Sequence, residues 1–289
     1  MSDPWTGAVA TASLIRAGDL SAVEVAEATL VRIATEDGHL NSFTTVTAER
    51  ALAGASGVDA ARARGEALPP LAGVPYAVKN LFDLAGVVTV AGSKIERDKP
   101  AAGGDAYLVG RMQAAGAVCV GALNMDEYAY GFTTENAHDG PCHNPHDLTR
   151  SAGGSSGGCG AAVAGGLVPL SLGSDTNGSI RVPSSLCGIF GLKPTYGRLA
   201  RTGTYPFVAS LDHLGPFARD VADLAAAWDA LQGQDPSDPA QGHWPLEPIS
   251  ALLDRGVDGV RIAIADDHFA RNGLPEAFAA GRRLVALDL

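Results

Sequence analysis

The chain has 289 residues, 46% of them hydrophobic, enough for a sizeable core in one large domain or two small ones. Only 18% are charged and the formal net charge is -11, which excludes the basic footprint of a nucleic-acid binder and gives little attraction to an anionic membrane. The 36 glycines and 17 prolines, against 6% aromatic residues, predict tight turns and close backbone approach rather than an all-helical bundle.

A helix is predicted from about Trp5 to Ala17. A second starts at Ser21, where Ser21 and Glu24 form a capping box and Val23, Ala26, Leu30 and Ile33 share one face. A third, about Ala48 to Ala63, ends in the polar, proline-rich run Arg64 to Pro70, after which Val74 to Val78 reads as a short buried strand. Helix (Tyr107 to Ala115), strand (Val118 to Ala122), helix (Gly158 to Ala164) and strand (Val168 to Leu172) then alternate, as in an α/β sheet covered by helices on both faces. Gly233 to Pro248 reads as a surface loop, and a strand-helix pattern resumes at Val260 to Ile264. The chain stops at Leu289 inside an amphipathic pattern. A sheet whose last unit lacks its neighbour leaves an apolar edge, so residues 1–289 are read as a single, incomplete domain of a longer protein.

Met1 to Ala10 has no basic region leading into an apolar one, and Ala161 to Leu172 is too short and glycine-broken to span a bilayer, so a cytoplasmic chain without membrane contact is expected. Cys119, Cys142, Cys159 and Cys187 fit no metal or redox spacing and are read as free thiols. Cys142-His143-Asn144-Pro145-His146 gathers soft ligands, but no second pair lies at a useful distance, and neither a metal nor another cofactor is expected.

Chemistry concentrates in two segments, Gly153-Gly154-Ser155-Ser156-Gly157-Gly158 and Gly173-Ser174-Asp175-Thr176-Asn177-Gly178-Ser179-Ile180-Arg181. The first contains G-x-S-x-G around Ser156. A nucleophile elbow needs a buried strand leading into it, whereas Asp147 to Ala152 is polar and read as loop. No Gly-Lys-Ser/Thr follows to make a phosphate loop either. The second segment leaves a plausible strand, and its successive peptide N–H groups can face an oxyanion: Thr176, Asn177, Gly178 and Ser179 supply the amides and the Ser179 hydroxyl the attacking group. None of the seven histidines sits at an apolar strand end to serve as base. Lys79 does, closing the run Leu71 to Val78, where desolvation lowers its pKa.

Leu71-Ala72-Gly73-Val74-Pro75 through Lys79, the Gly153 to Gly158 run, and Asp175 to Pro183 with Cys187-Gly188 together resemble the amidase signature family from the first helices to about Gly233. The resemblance implies the family's α/β fold, with a central mixed sheet between helices and a core longer than this chain. It also implies a Ser-Ser-Lys triad in which Ser179 attacks, Ser155 relays the proton and Lys79 is the base, a cis peptide at Gly154–Ser155, and substrate contacts at Met125, Gly153, Gly154, Asp175 and Arg181. Asn177 departs from the commoner glycine of that turn and Cys159 from a usual small residue; Asn tolerates left-handed backbone better than most residues.

Within the family, Asn124-Met125-Asp126-Glu127, Thr134-Glu135-Asn136 and Gly191 to Arg198 are similar to the amidase subunit of aminoacyl-tRNA amidotransferases. Asp175 to Ser179 with Tyr205 to His213 is more similar to the 1-carboxybiuret hydrolases of s-triazine breakdown. The second resemblance is favoured. It implies a small amide substrate, a small accessory subunit, an oligomer when full length, and no direct nucleic-acid partner. A catalytically inert scaffold is the reading of another class.

Overall fold

The computed structural model describes residues 3–256, 258–261, 275, 276, 279 and 283. Two compact units divide the chain, Met1–Ser250 and Ala251–Leu289. The first carries the sheet and its flanking helices. In the second, a 3-10 turn, Ser250–Arg255, is followed by irregular chain at 256 and 258–261, and the backbone is helical at Pro275, Glu276, Ala279 and Arg283.

In the first unit a six-stranded mixed sheet runs β1 (Phe43–Val46), β3 (Val118–Leu123), β2 (Pro75–Lys79), β4 (Leu170–Asp175), β6 (His213–Ala218), β5 (Phe190–Gly191) across its width. The centre, β3-β2-β4, is parallel and both margins are antiparallel. Parallel strands are buried on both faces, so they read as continuous apolar runs, and all five residues of β2 are buried. Its alternation sorts the core: Tyr76 and Val78 join Leu170, Leu172 and Leu214 on one face, under α4 (Tyr107–Ala114) and α7 (Val221–Leu231). Ala77 joins Val118, Val120 and Phe217 on the other, under α2 (Ala22–Leu40), α3 (Ala48–Ala63) and α5 (Gly157–Ala164). Two short helices, α1 (Ala8–Ala17) and α6 (Arg181–Cys187), complete the set.

Several elements differ from the sequence reading. The first helix begins at Ala8, not Trp5, because the carboxylate of Asp223 in α7 takes the free N–H groups of Ala8 (2.6 Å) and Val9 (2.8 Å). The capping box of α2 is present, but its buried face is Ala22, Val25, Ala26, Thr29, Ile33 and Leu40, with Val23 and Leu30 at the flank. Asp147 to Ser151, read as loop, is a strand of a small exposed ribbon with His143–Asn144; a second ribbon pairs Glu135–Asn136 with Gly140–Pro141. The 233–248 loop is anchored by buried Asp235, Asp238 and Gln241. Of the strand read at Val260 to Ile264, Val260 and Arg261 are irregular and the rest, with most of the final amphipathic segment, lies outside the described residues.

Candidate active site

Register brings the two chemical segments together. Ala77 pairs with Ser171 and Val78 with Leu172, so β2 and β4 end side by side, delivering Lys79 and the strand-end residues Ser174 and Asp175 to the carboxyl edge of the parallel strands, the place where open α/β sheets bind ligands. Lys79 is fully buried. Its Nζ donates to Ser155 Oγ at 2.6 Å and to Ser174 Oγ at 2.9 Å. Burial drives its pKa down to about 8, against the smaller opposing pull of Cys159, Asp126, Asp175 and Asp212.

Ser155 is also fully buried and follows a cis Gly154–Ser155 peptide bond. Ser156 is engaged elsewhere: its hydroxyl donates to the Ser174 carbonyl oxygen at 3.1 Å, tying the start of α5 to β4. The first amides of α5 are committed too, Gly157 N–H to Thr134 Oγ1 (3.0 Å) and Gly158 N–H to the Asn124 carbonyl (3.0 Å), so this glycine run presents no phosphate cradle.

The turn after β4 is built around the buried Asp175. One carboxylate oxygen accepts from the Gly178 amide (2.7 Å) and Arg181 Nη2 (2.9 Å), the other from Ile180 N–H (3.1 Å), Arg181 N–H (3.3 Å) and Arg181 Nε (3.0 Å). Burial pushes the Asp175 carboxyl up, but the Arg181 guanidinium and the Ile180 and Gly178 amides outweigh it, leaving the group below its ordinary value. Two expectations are corrected. Asp175 braces the turn, with no oxygen left for substrate, and Gly178 gives its amide to Asp175 rather than to an oxyanion. The amides of Thr176, Asn177 and Ser179 donate to no group of the chain among the described residues. Ser179 is 4% exposed, and neither its hydroxyl nor that of Ser155 bonds the other. Thr176 Oγ1 donates to Asp212 (2.6 Å), which also accepts the Phe207 and Val208 amides.

Met125 is a further correction, fully buried in the core with Tyr76 and Leu108 and presenting no surface to a ligand. Gly153 and Gly154 are buried as well. Of the five expected substrate contacts only Arg181 has an accessible side chain, 55% exposed. The His146 ring bonds the Cys187 carbonyl (2.9 Å), and all four cysteines are buried and unpaired. Among the described residues no cluster of metal-ligating side chains occurs and no helix is long and apolar enough to cross a membrane. Sequence reasoning missed Ser174, Asp126 and Asp212. Ser174 had a usable signal, a hydroxyl next to the end of a strand that parallels the one carrying Lys79.

The family model described as Amidase matches residues 24–286, beyond the Gly233 limit read from motifs. The chain belongs to the amidase signature family. It is 60% identical over 266 residues to AtzE of Pseudomonas sp. (strain ADP), a component of 1-carboxybiuret hydrolase, covering 92% of this chain and 58% of that one. It is 49% identical over 275 residues to a glutamyl-tRNA(Gln) amidotransferase component of Anaeromyxobacter dehalogenans (strain 2CP-C), covering 95% and 55%. A chain in a solved structure of a vestigial protein complex that bears on the evolutionary origins of an s-triazine catabolic enzyme superposes with a TM-score of 0.88 at 60% identity, over 89% of this chain and 56% of that one. The chain thus spans little more than half the length of these amidase relatives, with the mixed sheet and flanking helices of the family fold.

Proposed function

We propose that this chain carries the catalytic residues of an amide hydrolase acting on 1-carboxybiuret, with Ser179 as nucleophile, Ser155 as proton relay and Lys79 as base. The observation that carries the chemistry is the buried Lys79 amine 2.6 Å from Ser155 Oγ, since a desolvated amine with its pKa lowered to about 8 accepts protons at a pH where an ordinary lysine is fully charged. Lys79 takes the Ser155 proton as Ser155 takes that of Ser179. The Ser179 Oγ–carbonyl bond forms, the free amides of Thr176, Asn177 and Ser179 receive the oxyanion, and the C–N bond breaks as the amine accepts the relayed proton and leaves. Water then cleaves the ester by the same relay. The substrate rests on the 60% identity to the 1-carboxybiuret hydrolase component, and a small accessory subunit, an oligomer and a cytoplasmic setting go with it.

The amidotransferase likeness supports a second reading, glutamine hydrolysis with the ammonia handed to a partner. Ammonia release from 1-carboxybiuret and from glutamine separates them, measured on the chain extended to its relatives' length and coexpressed with a candidate accessory protein. Release from 1-carboxybiuret, absent in Ser179→Ala, is the expected result. Glutaminase activity dependent on a tRNA-binding partner overturns the substrate assignment, and no turnover of either points to an inert scaffold.

A further inference from the structure

Asp126 follows β3 by three residues and meets both serine-bearing segments. Its amide donates to the Ser155 carbonyl (3.2 Å), and its Oδ1 accepts the Thr134 amide (2.9 Å). The carboxylate is wedged between two glycines: a Cβ at Gly131 would lie 2.5 Å from Oδ1, and one at Gly154, the residue before Ser155, would overlap Oδ2. Asp126 is 7% exposed, and Oδ2 is sealed from solvent without a hydrogen-bond partner. An orphaned buried carboxylate oxygen is costly, so its persistence beside the relay serine calls for a compensating charge.

The groups facing Lys79 supply the comparison. Cys159, on α5, has its thiol pushed up to about 12 by burial and is neutral. Asp175 is paired with the Arg181 guanidinium and accepts from three amides, and Asp212 accepts from the Thr176 hydroxyl and two amides. Burial raises the Asp126 carboxyl, whose hydrogen bond comes from the Thr134 amide; Glu135 is its other acidic neighbour, and the pull of Asp126 on Lys79 exceeds that of the other two carboxylates. We propose, on the reading that Lys79 is the base, that Asp126 is a positioning residue whose carboxylate is the countercharge for the Lys79 ammonium formed when the nucleophile is deprotonated, while its backbone holds Ser155 in line. Burial penalises an isolated ammonium, and a fixed negative charge nearby offsets that cost at the step where the charge appears.

The test needs no assumption about the natural substrate. The rate of fluorophosphonate labelling is measured against pH, with the modified residue identified by mass spectrometry; serine oxygen displaces fluoride at phosphorus and the base takes the proton. Asp126→Asn keeps the Oδ1 acceptor for Thr134 and removes the charge. The expected result is labelling at Ser179 that is several-fold slower, with the acidic limb of the profile moved to lower pH by about one unit, because Lys79 without its countercharge holds its proton less tightly. Asp126→Ser, measured in parallel with thermal unfolding of both variants, should move the limb in the same direction. A slower rate with an unmoved midpoint overturns the proposal, as does loss of the folded state in both variants, which makes Asp126 a folding residue only. Labelling elsewhere than Ser179 in the unsubstituted chain is a failure of the nucleophile assignment instead, and is told apart by the modified peptide.

Discussion

An amine at the end of a fully buried strand can be stable only if it is neutral or its charge is matched, and Lys79 sits at that boundary. Below about pH 8 its ammonium form dominates and takes no proton; the neutral share falls tenfold per pH unit below that point. Labelling of Ser179 should therefore rise with pH through a midpoint near 8. In Lys79→Met that midpoint should vanish and the rate fall by about 10²–10⁴-fold. The stability side has a definite sign. A lysine whose pKa falls from 10.5 to about 8 on folding sheds protons, so the fold gains stability as pH rises between those values. Lys79→Met should thus be most favourable relative to the unsubstituted chain below pH 8, and the difference should shrink toward 10.5 in thermal unfolding. An unshifted profile in Lys79→Met refutes the base assignment. The lysine was legible from its place in an apolar run. That Asp175 would turn inward was not, because a carboxylate at the end of a buried strand reads the same whether it bonds a substrate or its own turn.

At the level of elements, α5 matters most, since Ser155 and Ser156 lead directly into it and its packing seats them against the sheet. Its sequence, GGCGAAVA, is a poor helix former rich in glycine, yet every residue is buried. The reason is contact distance. A Cβ at Gly158 would lie 2.6 Å from both the Asn124 backbone nitrogen and the Ser42 carbonyl oxygen, backbone atoms that cannot rotate away. Gly158→Ala should therefore push α5 off the end of β3 at a cost of about 2 kcal/mol in unfolding free energy, and denaturant titration measures it. A stability equal to that of the unsubstituted chain would mean that the helix slides to accommodate the methyl group. Helix propensity gave no hint of this packing, whereas the apolar and small-residue pattern placed α5 within one residue, because burial rather than propensity decides its length.

For the whole first unit, the informative contact joins its two ends. Asp223 in α7 caps α1 through the Ala8 and Val9 amides across 215 and 214 positions of sequence, with 2% of its surface exposed. Arg219, just before the same helix, donates to the Val163 (2.8 Å) and Val168 (3.0 Å) carbonyls and to those of Pro4 and Thr6, with Trp5 stacked near its guanidinium. One helix start thus ties the amino-terminal segment to the sheet. No local pattern announces a cap supplied from so far away, which is why the sequence placed the helix start at Trp5 even though the capping box of α2, a local device, was read without error. Asp223→Ala removes both acceptors and leaves two N–H groups at a buried helix end, a loss of about 2 kcal/mol for charge-assisted bonds of this kind. The expected outcome is a lowered thermal transition with unchanged fluorophosphonate labelling of Ser179 well below it, because the Asp223 carboxylate bonds the Ala8 and Val9 amides and neither Lys79, Ser155 nor Ser179. A transition unmoved by Asp223→Ala would show that α1 is held by its apolar face alone, through Ala8, Ala12 and Ile15.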